Sequence, residues 1–529
     1  MAEHEWRLIR GWVLSCLLAV LALTGGERGA RGEVEFTDKT AELGLEPGGE
    51  AGCWADFNND GWVDLCCSGK VWRNEQGKRF VPWADVAVTN AVAADYNNDG
   101  FCDLFSWSSL KLYRNVGGEK FVEAPLPTLP KTVSRGACWG DWNGDGAVDL
   151  YVGGYEDWDA GITWPSFVLL NQAGQSFEVG QTDARYRARG VAACDFDGDG
   201  DLDIYASNYR LQPNVLWINN GKGVFEDRAA KHNALATSAG FGGGHSIGAA
   251  WGDFDNDGLF DLFAGNFAHQ DDRGDQPKSR FLRNPGAAGE FVFEDRGPCG
   301  VFYQESYASP AAGDYDNDGD LDLFFTTVYG VASFGRPNFP TLFRNDGPWQ
   351  FTDANAVAKT GGLGPTYQAA WADFDNDGDL DLLTAGKLLV NGGTGRHWLK
   401  VRLEGVGPVN RSAIGTPVRV RRGDKVWVRQ VEAGTGEGNQ NDLTLHFGLG
   451  EGDGPVTLEI DWLAGSQKVG PVPVDTLQVI QRPVPSKGIG WRVEGGEWSV
   501  ESVVGLALVD RADWDWWSAA TGPGRGPGR

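Results

Sequence analysis

Seven acidic, glycine-containing loops between residues 56 and 381 constrain the fold of this chain more than any other feature. Each places an oxygen-bearing side chain at positions 1, 3, 5 and 9 and glycine at position 6. The first three read Asp56, Asn58, Asp60, Asp64; then Asp95, Asn97, Asp99, Asp103; then Asp141, Asn143, Asp145, Asp149. The fourth and fifth read Asp195, Asp197, Asp199, Asp203 and Asp253, Asp255, Asp257, Asp261. The last two read Asp314, Asp316, Asp318, Asp322 and Asp373, Asp375, Asp377, Asp381. A lone copy would be a solvated turn, whereas seven copies with matching positions call for a common chemistry.

That chemistry is the binding of a hard cation. Ca²⁺ takes six to eight oxygens at about 2.4 Å, and side-chain oxygens at alternate positions before a sharp glycine turn supply them. The backbone carbonyl at position 7 would add one more, from Trp62, Phe101, Ala147, Asp201, Leu259, Asp320 and Asp379. A helix–loop–helix calcium site closes its shell with an acid at position 12. Here Cys67, Ser106, Val152, Ala206, Ala264, Phe325 and Thr384 stand there. The acid at position 9 closes the loop instead, which makes each loop the tip of a hairpin between two strands. Three or four carboxylates per tip repel one another, so folding is expected to be coupled to binding of Ca²⁺, up to seven ions.

Each loop sits in a larger repeat: an apolar segment, the loop, a Leu-rich segment, a run ending in Asn and a segment opening with Phe. Six Phe-led segments follow their own loops, at Phe80, Phe121, Phe177, Phe225, Phe291 or Phe293, and Phe351. The seventh loop lacks one, because its third segment ends at Asn391 and runs into a different pattern. The missing strand is expected at the front of the chain, where Phe36-Thr37-Asp38 matches Phe351-Thr352-Asp353. The predicted fold is all-β, a seven-bladed β-propeller over residues 33–393 whose closure removes open sheet edges. Alternation around Gly423-Asp424 then predicts a small β-sandwich-like domain over residues 397–483. Residues 484–529, with Trp491, Trp498, Trp514, Trp516 and Trp517, read either as a docking strand or as disorder.

A net charge of −27 without basic stripes speaks against nucleic acid or anionic membranes as partners. Arg7 and Arg10, the apolar stretch 12–23 and then Thr24, Gly25 and Gly26 have the three regions of a secretory signal, taken as residues 1–26. The apolar stretch is too short to span a bilayer, so the expected destination is secreted, periplasmic or cell-surface, with no transmembrane anchor. Seven cysteines remain beyond the signal. Cys53 and Cys138 stand where other repeats place Ala250 and Ala370, which reads them as small core residues, with a bridge among Cys53, Cys66, Cys67 and Cys102 left open.

The loop-and-Phe repeats resemble the FG-GAP repeats of integrin α-subunit propellers and of bacterial adhesion-type proteins. Beyond them, Asn410-Arg411-Ser412-Ala413-Ile414-Gly415, Gln440-Asn441-Asp442, the run from Leu445 to Gly450 and Trp462-Leu463-Ala464-Gly465 resemble the ASPIC/UnbV module. The order of the two units resembles the cartilage acidic protein family. The resemblance implies an extracellular calcium-binding protein that acts in binding or adhesion rather than catalysis. Two departures stand out: Trp-Leu-Ala-Gly replaces the usual Trp-Pro-Ser-Gly, and Gly434-Thr435-Gly436-Glu437-Gly438 replaces a Gly-Tyr-containing stretch before Gln440.

If the calcium loops share one face of the ring, the opposite face is built from the remaining connections. These carry Tyr155, Trp158, Trp164, Tyr186, Tyr209, Arg210, His245, His269, Tyr303 and Tyr329. Rings beside carboxylates and Arg suit an extracellular glycan or a protein ligand, set against ordinary loop decoration. His245 and His269 are expected close together, at the ends of neighbouring strands, with no third metal ligand in view. Arg273-Gly274-Asp275 and Arg422-Gly423-Asp424 spell an integrin-recognised tripeptide that Gly- and Asp-rich chains produce by chance, and the second is a hairpin turn. Two alternatives accompany the binding reading: a polysaccharide-acting or other propeller enzyme, and a scaffold whose C-terminal module docks a partner. The sequence holds no phosphate-cradling GxxxxGK[ST] loop and no HExxH.

Overall fold

Each acidic loop joins two short antiparallel strands, and the Asp at position 9 opens the second of them. In the first repeat Gly52–Ala55 and Asp64–Cys67 flank the loop, and Lys70–Asn74 and Phe80–Trp83 complete a four-stranded sheet. The computed structural model describes residues 33–83, 86–271, 274–463, 465–494 and 497–506. The expected signal segment, Arg273, and Trp514, Trp516 and Trp517 therefore lie outside the described residues.

The same unit recurs with inner strands Ala91–Ala94, Ser134–Gly140, Ala188–Cys194, His245–Gly252 and Tyr307–Gly313. The seventh sheet holds Ala369–Ala372, Asp381–Thr384 and Lys387–Asn391 and takes its fourth strand from Phe36–Asp38, with Phe36 opposite Asn391. Buried Ala, Gly and Cys dominate the inner strands, whereas the outermost strands bury their leading Phe and expose most of the rest. In the fifth sheet the fourth strand starts at Glu294, one residue after Phe293, whose ring is buried against Phe196.

Consecutive sheets are tied together by the asparagine that ends each third strand. Asn74 donates from Nδ2 to the Val63 carbonyl of its own loop at 3.0 Å and to the Phe374 carbonyl of the seventh sheet at 2.8 Å. Asn115, Asn171 and Asn219 reach back in the same way to the carbonyls of Phe57, Tyr96 and Trp142. Asn284, Asn345 and Asn391 reach Phe196, Phe254 and Tyr315. Every sheet thus grips its predecessor, and the first grips the seventh. The first–seventh junction also has an apolar core, in which Trp54, Leu65, Trp72 and Phe80 pack with Ala370, Phe374 and Leu383. The seven described cysteines are free thiols, with Cys53, Cys66, Cys67, Cys138 and Cys194 buried, so small apolar packing is their role and no bridge links the four near the first two sheets.

The C-terminal unit is two facing sheets. One is Leu445–Gly450, His397–Glu404 and Thr476–Gln481; the other is Lys425–Gln430, Pro417–Arg422, Val456–Trp462 and Gly465–Val472. Gly423-Asp424 forms the expected turn, with Arg422 opposite Lys425. One apolar cluster joins Trp107 and Trp139 of the propeller to Ala433, Val418 and Phe447 of this module, so the module is packed onto the ring rather than appended to it. Pro485–Glu494 pairs with Glu497–Leu506 as a hairpin. No helix among the described residues is long and apolar enough to cross a membrane.

Candidate metal loops and channel mouth

The acidic loops are folded around their own carboxylates. Asp56 accepts the Asp60 N–H on Oδ1 at 3.1 Å and the Gly61 N–H on Oδ2 at 2.9 Å. Asp95, Asp141, Asp253, Asp314 and Asp373 repeat both bonds, and Asp195 keeps the one from Gly200. At the other end, Asp64 accepts the Phe57 N–H on Oδ2 and the Asn74 N–H on Oδ1. The closing acid is thereby wired to the same asparagine that latches the neighbouring sheet. The N–H groups of Trp62, Phe101, Ala147, Asp201, Leu259, Asp320 and Asp379 donate to the position-5 carboxylates.

Four loops gather three carboxylates whose oxygens lie within 4.8 Å of one another: Asp195, Asp197 and Asp199; Asp253, Asp255 and Asp261; Asp314, Asp316 and Asp322; Asp373, Asp375 and Asp381. These clusters could hold a metal ion. In the first three loops Asn58, Asn97 and Asn143 replace the third carboxylate, and Asn58 and Asn143 donate to Asp60 and Asp145. The residues fit a hard cation on independent grounds. Asp195 Oδ1, Asp203 Oδ2, Asp255 Oδ1 and Asp375 Oδ1 are buried and accept no hydrogen bond, a state that costs free energy until a cation or donor arrives. Burial also pushes the carboxyls of Asp64 and Asp149 up to about 8 and that of Asp103 to about 9.

Cations of the chain approach several of these acids. Arg283, at the end of the fifth sheet's third strand, pairs with Asp255 at 3.0 Å and Asp257 at 2.6 Å, so its guanidinium occupies the fifth loop. From the C-terminal module, Lys400 bonds Asp373 at 2.8 Å and Arg402 bonds Asp56 at 3.0 Å, and Arg396, immediately before its first strand, bonds Asp316 at 2.8 Å. His446 Nε2 lies 2.9 Å from the Gly378 carbonyl. The module therefore covers the face formed by the acidic loops. The position-4 asparagines, which carry no ligand role in the spacing argument, link adjacent loops: Asn59 to the Gly100 carbonyl, Asn98 to Gly146 and Asn376 to Gly61.

The glycine-rich stretch at 434–438, together with the residues that follow it, enters the centre of the ring. Ala433 accepts the Trp139 N–H, Gly436 donates to Ala249, and Glu437 N–H donates to Ser309 Oγ. Asn439 donates to the Tyr367 carbonyl, while Gln440 donates to the Gly52 carbonyl and accepts the Ala93 N–H on its side chain. With Arg189 paired to Glu437, the loop touches the first, second, third, fourth, fifth, sixth and seventh sheets, and it plugs the channel. Glycine is needed at 438, where φ is +69° and a Cβ would fall 2.6 Å from the Trp107 ring. No sequence pattern marks this plug, because its partners, backbone groups together with the side chains of Arg189 and Ser309, lie on strands remote in the chain.

On the opposite side of the ring, Arg189 lies over the rings of Tyr155, Tyr209 and Tyr367 at 5.3, 5.1 and 5.2 Å. Arg210 stacks on Trp158 at 3.8 Å and pairs with Glu156 at 2.9 Å. His245 is 4.9 Å from Tyr209 and 5.7 Å from His269, ring to ring, and His269 Nδ1 bonds Glu305 at 2.6 Å. Tyr155, Trp158, Tyr209, Arg210, His245 and His269 thus form one connected group, and exposed Tyr329 touches it through Phe267. Trp164 lies under Lys131, Tyr186 bonds Asp227, and Tyr303 donates to the Ala268 carbonyl, each in a contact of its own.

Residues 407–487 match the family described as ASPIC and UnbV, and residues 95–152, 195–264 and 328–384 match the FG-GAP-like repeat. Cartilage acidic protein 1 of Mus musculus is 27% identical over 354 residues, covering 61% of this chain and 51% of that protein. The Homo sapiens protein of the same name is 27% identical over 295 residues, covering 52% of this chain and 41% of its own. The chain spans about half the length of the curated relatives it matches. Among solved structures, the Dos1 propeller covers 68% of this chain and 93% of its own at 9% identity, with a TM-score of 0.34, too loose a likeness to carry an argument. The chain joins FG-GAP-like repeats to an ASPIC and UnbV module and is homologous to cartilage acidic protein 1.

Proposed function

We propose that this is an exported, calcium-dependent binding protein whose ligand, a glycan or a protein, meets the face opposite the acidic loops. The observation that carries the reading is the set of buried carboxylate oxygens in the loops that accept no hydrogen bond. Oxygen-only donors at this spacing suit Ca²⁺, held by positions 1, 3, 5 and 9 with the position-7 carbonyl. The C-terminal module covers the loop face and plugs the channel, which leaves the connected group from Tyr155 to His269 as the aromatic surface offered to a ligand. Export is expected from the N-terminal segment, and the homology to cartilage acidic protein 1 supports an extracellular setting. A module with its loop buried among seven sheets is poorly placed to act as an independent docking arm. The test is a glycan array probed with the purified full chain, with calcium and after chelation. Calcium-dependent binding to a discrete set of glycans is expected, and binding that is indifferent to chelation would contradict the reading.

A further inference from the structure

In a chain of net charge −27, four arginines gather at the channel mouth away from the acidic loops. Arg187 and Arg210 share the single carboxylate of Glu156, at 3.0 and 2.9 Å. Arg189 is matched by Glu437 at 2.6 Å. Arg135, exposed at the start of the third sheet's inner strand, lies over Tyr155 at 5.7 Å and forms no ion pair among the described residues. Three of the four guanidinium groups are thus matched by Glu156 and Glu437, with Asp157, Asp159 and Glu305 also on this side, and Arg135 is the one left without a carboxylate partner. A second observation points to a ligand or its water: Glu437 Oε2 is buried beside Arg189 and accepts no hydrogen bond.

We infer that this mouth takes an anionic sugar chain, a uronic-acid-containing oligosaccharide, with a sugar carboxylate on Arg135 and sugar rings against Tyr155 and Trp158. The inference rests on the reading of this face as the ligand face. Planar guanidinium groups match carboxylates in a two-pronged geometry, and exposed rings supply stacking surface at small entropic cost. Hydroxyl groups of the same ligand, directly or through water, provide the donors that Glu437 Oε2 lacks. Because the plug fills the channel, the site is a platform across neighbouring sheets, which suits a chain better than a small molecule.

The experiment is calorimetric titration of the full chain in millimolar calcium and physiological salt with tetragalacturonate and with its carboxyl-reduced counterpart. Binding of the charged sugar, at least tenfold tighter than the reduced one, is expected. Arg135→Gln should weaken the charged sugar roughly tenfold without shifting the melting temperature, since Arg135 is exposed. Arg79→Gln, at the turn that lies beside Asn58 and Asp60 of the first acidic loop, should leave it unchanged. Equal affinity for both sugars, or no effect of Arg135→Gln, would overturn the anionic inference while leaving a glycan-binding face intact. Affinity for neither sugar would overturn it too, and capture of a purified protein partner by the same face would then reassign the ligand class.

Discussion

Arg189, in the inner strand of the fourth sheet, donates to Glu437 of the C-terminal module at 2.6 Å, and both side chains are buried. This pair anchors the channel plug. Removing one member strands the other charge, so Arg189→Met should destabilise the protein by about 3–5 kcal/mol. Replacing both, as Arg189→Met with Glu437→Leu, should cost clearly less. A double-mutant cycle by urea denaturation measures the difference, and simple additivity would show that the plug is held by its other contacts.

The fifth acidic loop already holds a cation, because Arg283 pairs with Asp255 and Asp257. Calcium must displace that guanidinium from two ligand carboxylates, whereas Lys400, Arg402 and Arg396 each engage one carboxylate of their loops, so this site should be the weakest. Titration of the wild-type chain is expected to count fewer tight sites than loops, and Arg283→Gln should add one. An unchanged count in the variant would show that Arg283 swings out freely.

Burial raises the carboxyls of Asp64 and Asp149 to about 8 and that of Asp103 to about 9, against a usual 3.8. The folded, metal-free protein therefore binds protons that the unfolded chain has released. Its stability should be greatest at acidic pH and fall as pH climbs from about 4 towards about 9. Calcium needs these groups ionised, so binding at pH 7 should expel protons, and the calcium-induced rise in melting temperature should grow with pH. Calorimetry in buffers of different ionisation enthalpy reports the protons, and identical heats across buffers would contradict the assignment.

Asn74 bonds across the junction of the first and seventh sheets, donating to the Phe374 carbonyl. Asn74→Ala leaves two buried carbonyls without a donor and should cost about 2–4 kcal/mol. The equivalent Asn171→Ala, inside the run of sheets, should cost a similar amount if the junction is as firm as the others. A negligible effect at Asn74 alone, measured by thermal unfolding, would mean that the ring is open there.

Much of the architecture was legible because each repeat is local. The loop acids Asp56 to Asp64 lie within one hairpin, and the match of Phe36-Thr37-Asp38 to Phe351-Thr352-Asp353 located the strand that completes the seventh sheet. What escaped was long-range. Asn74 was visible as the end of a strand, but its partner stands 300 residues away. Arg283 has counterparts in Arg73 and Arg344, which pair with Glu75 and Asp346 instead, so no pattern marks it as the one that enters a loop. The plug at Glu437 repeats nothing, and its glycines make sense only against Ala137, Ser309 and Trp107.

Calcium at the hairpin tips is proposed to hold the ring and its plugging module together. The most direct measurement is the melting temperature of the full chain in saturating calcium and after exhaustive chelation. Several filled sites should together raise it by roughly 10 °C or more. A melting temperature unchanged by chelation would contradict the claim.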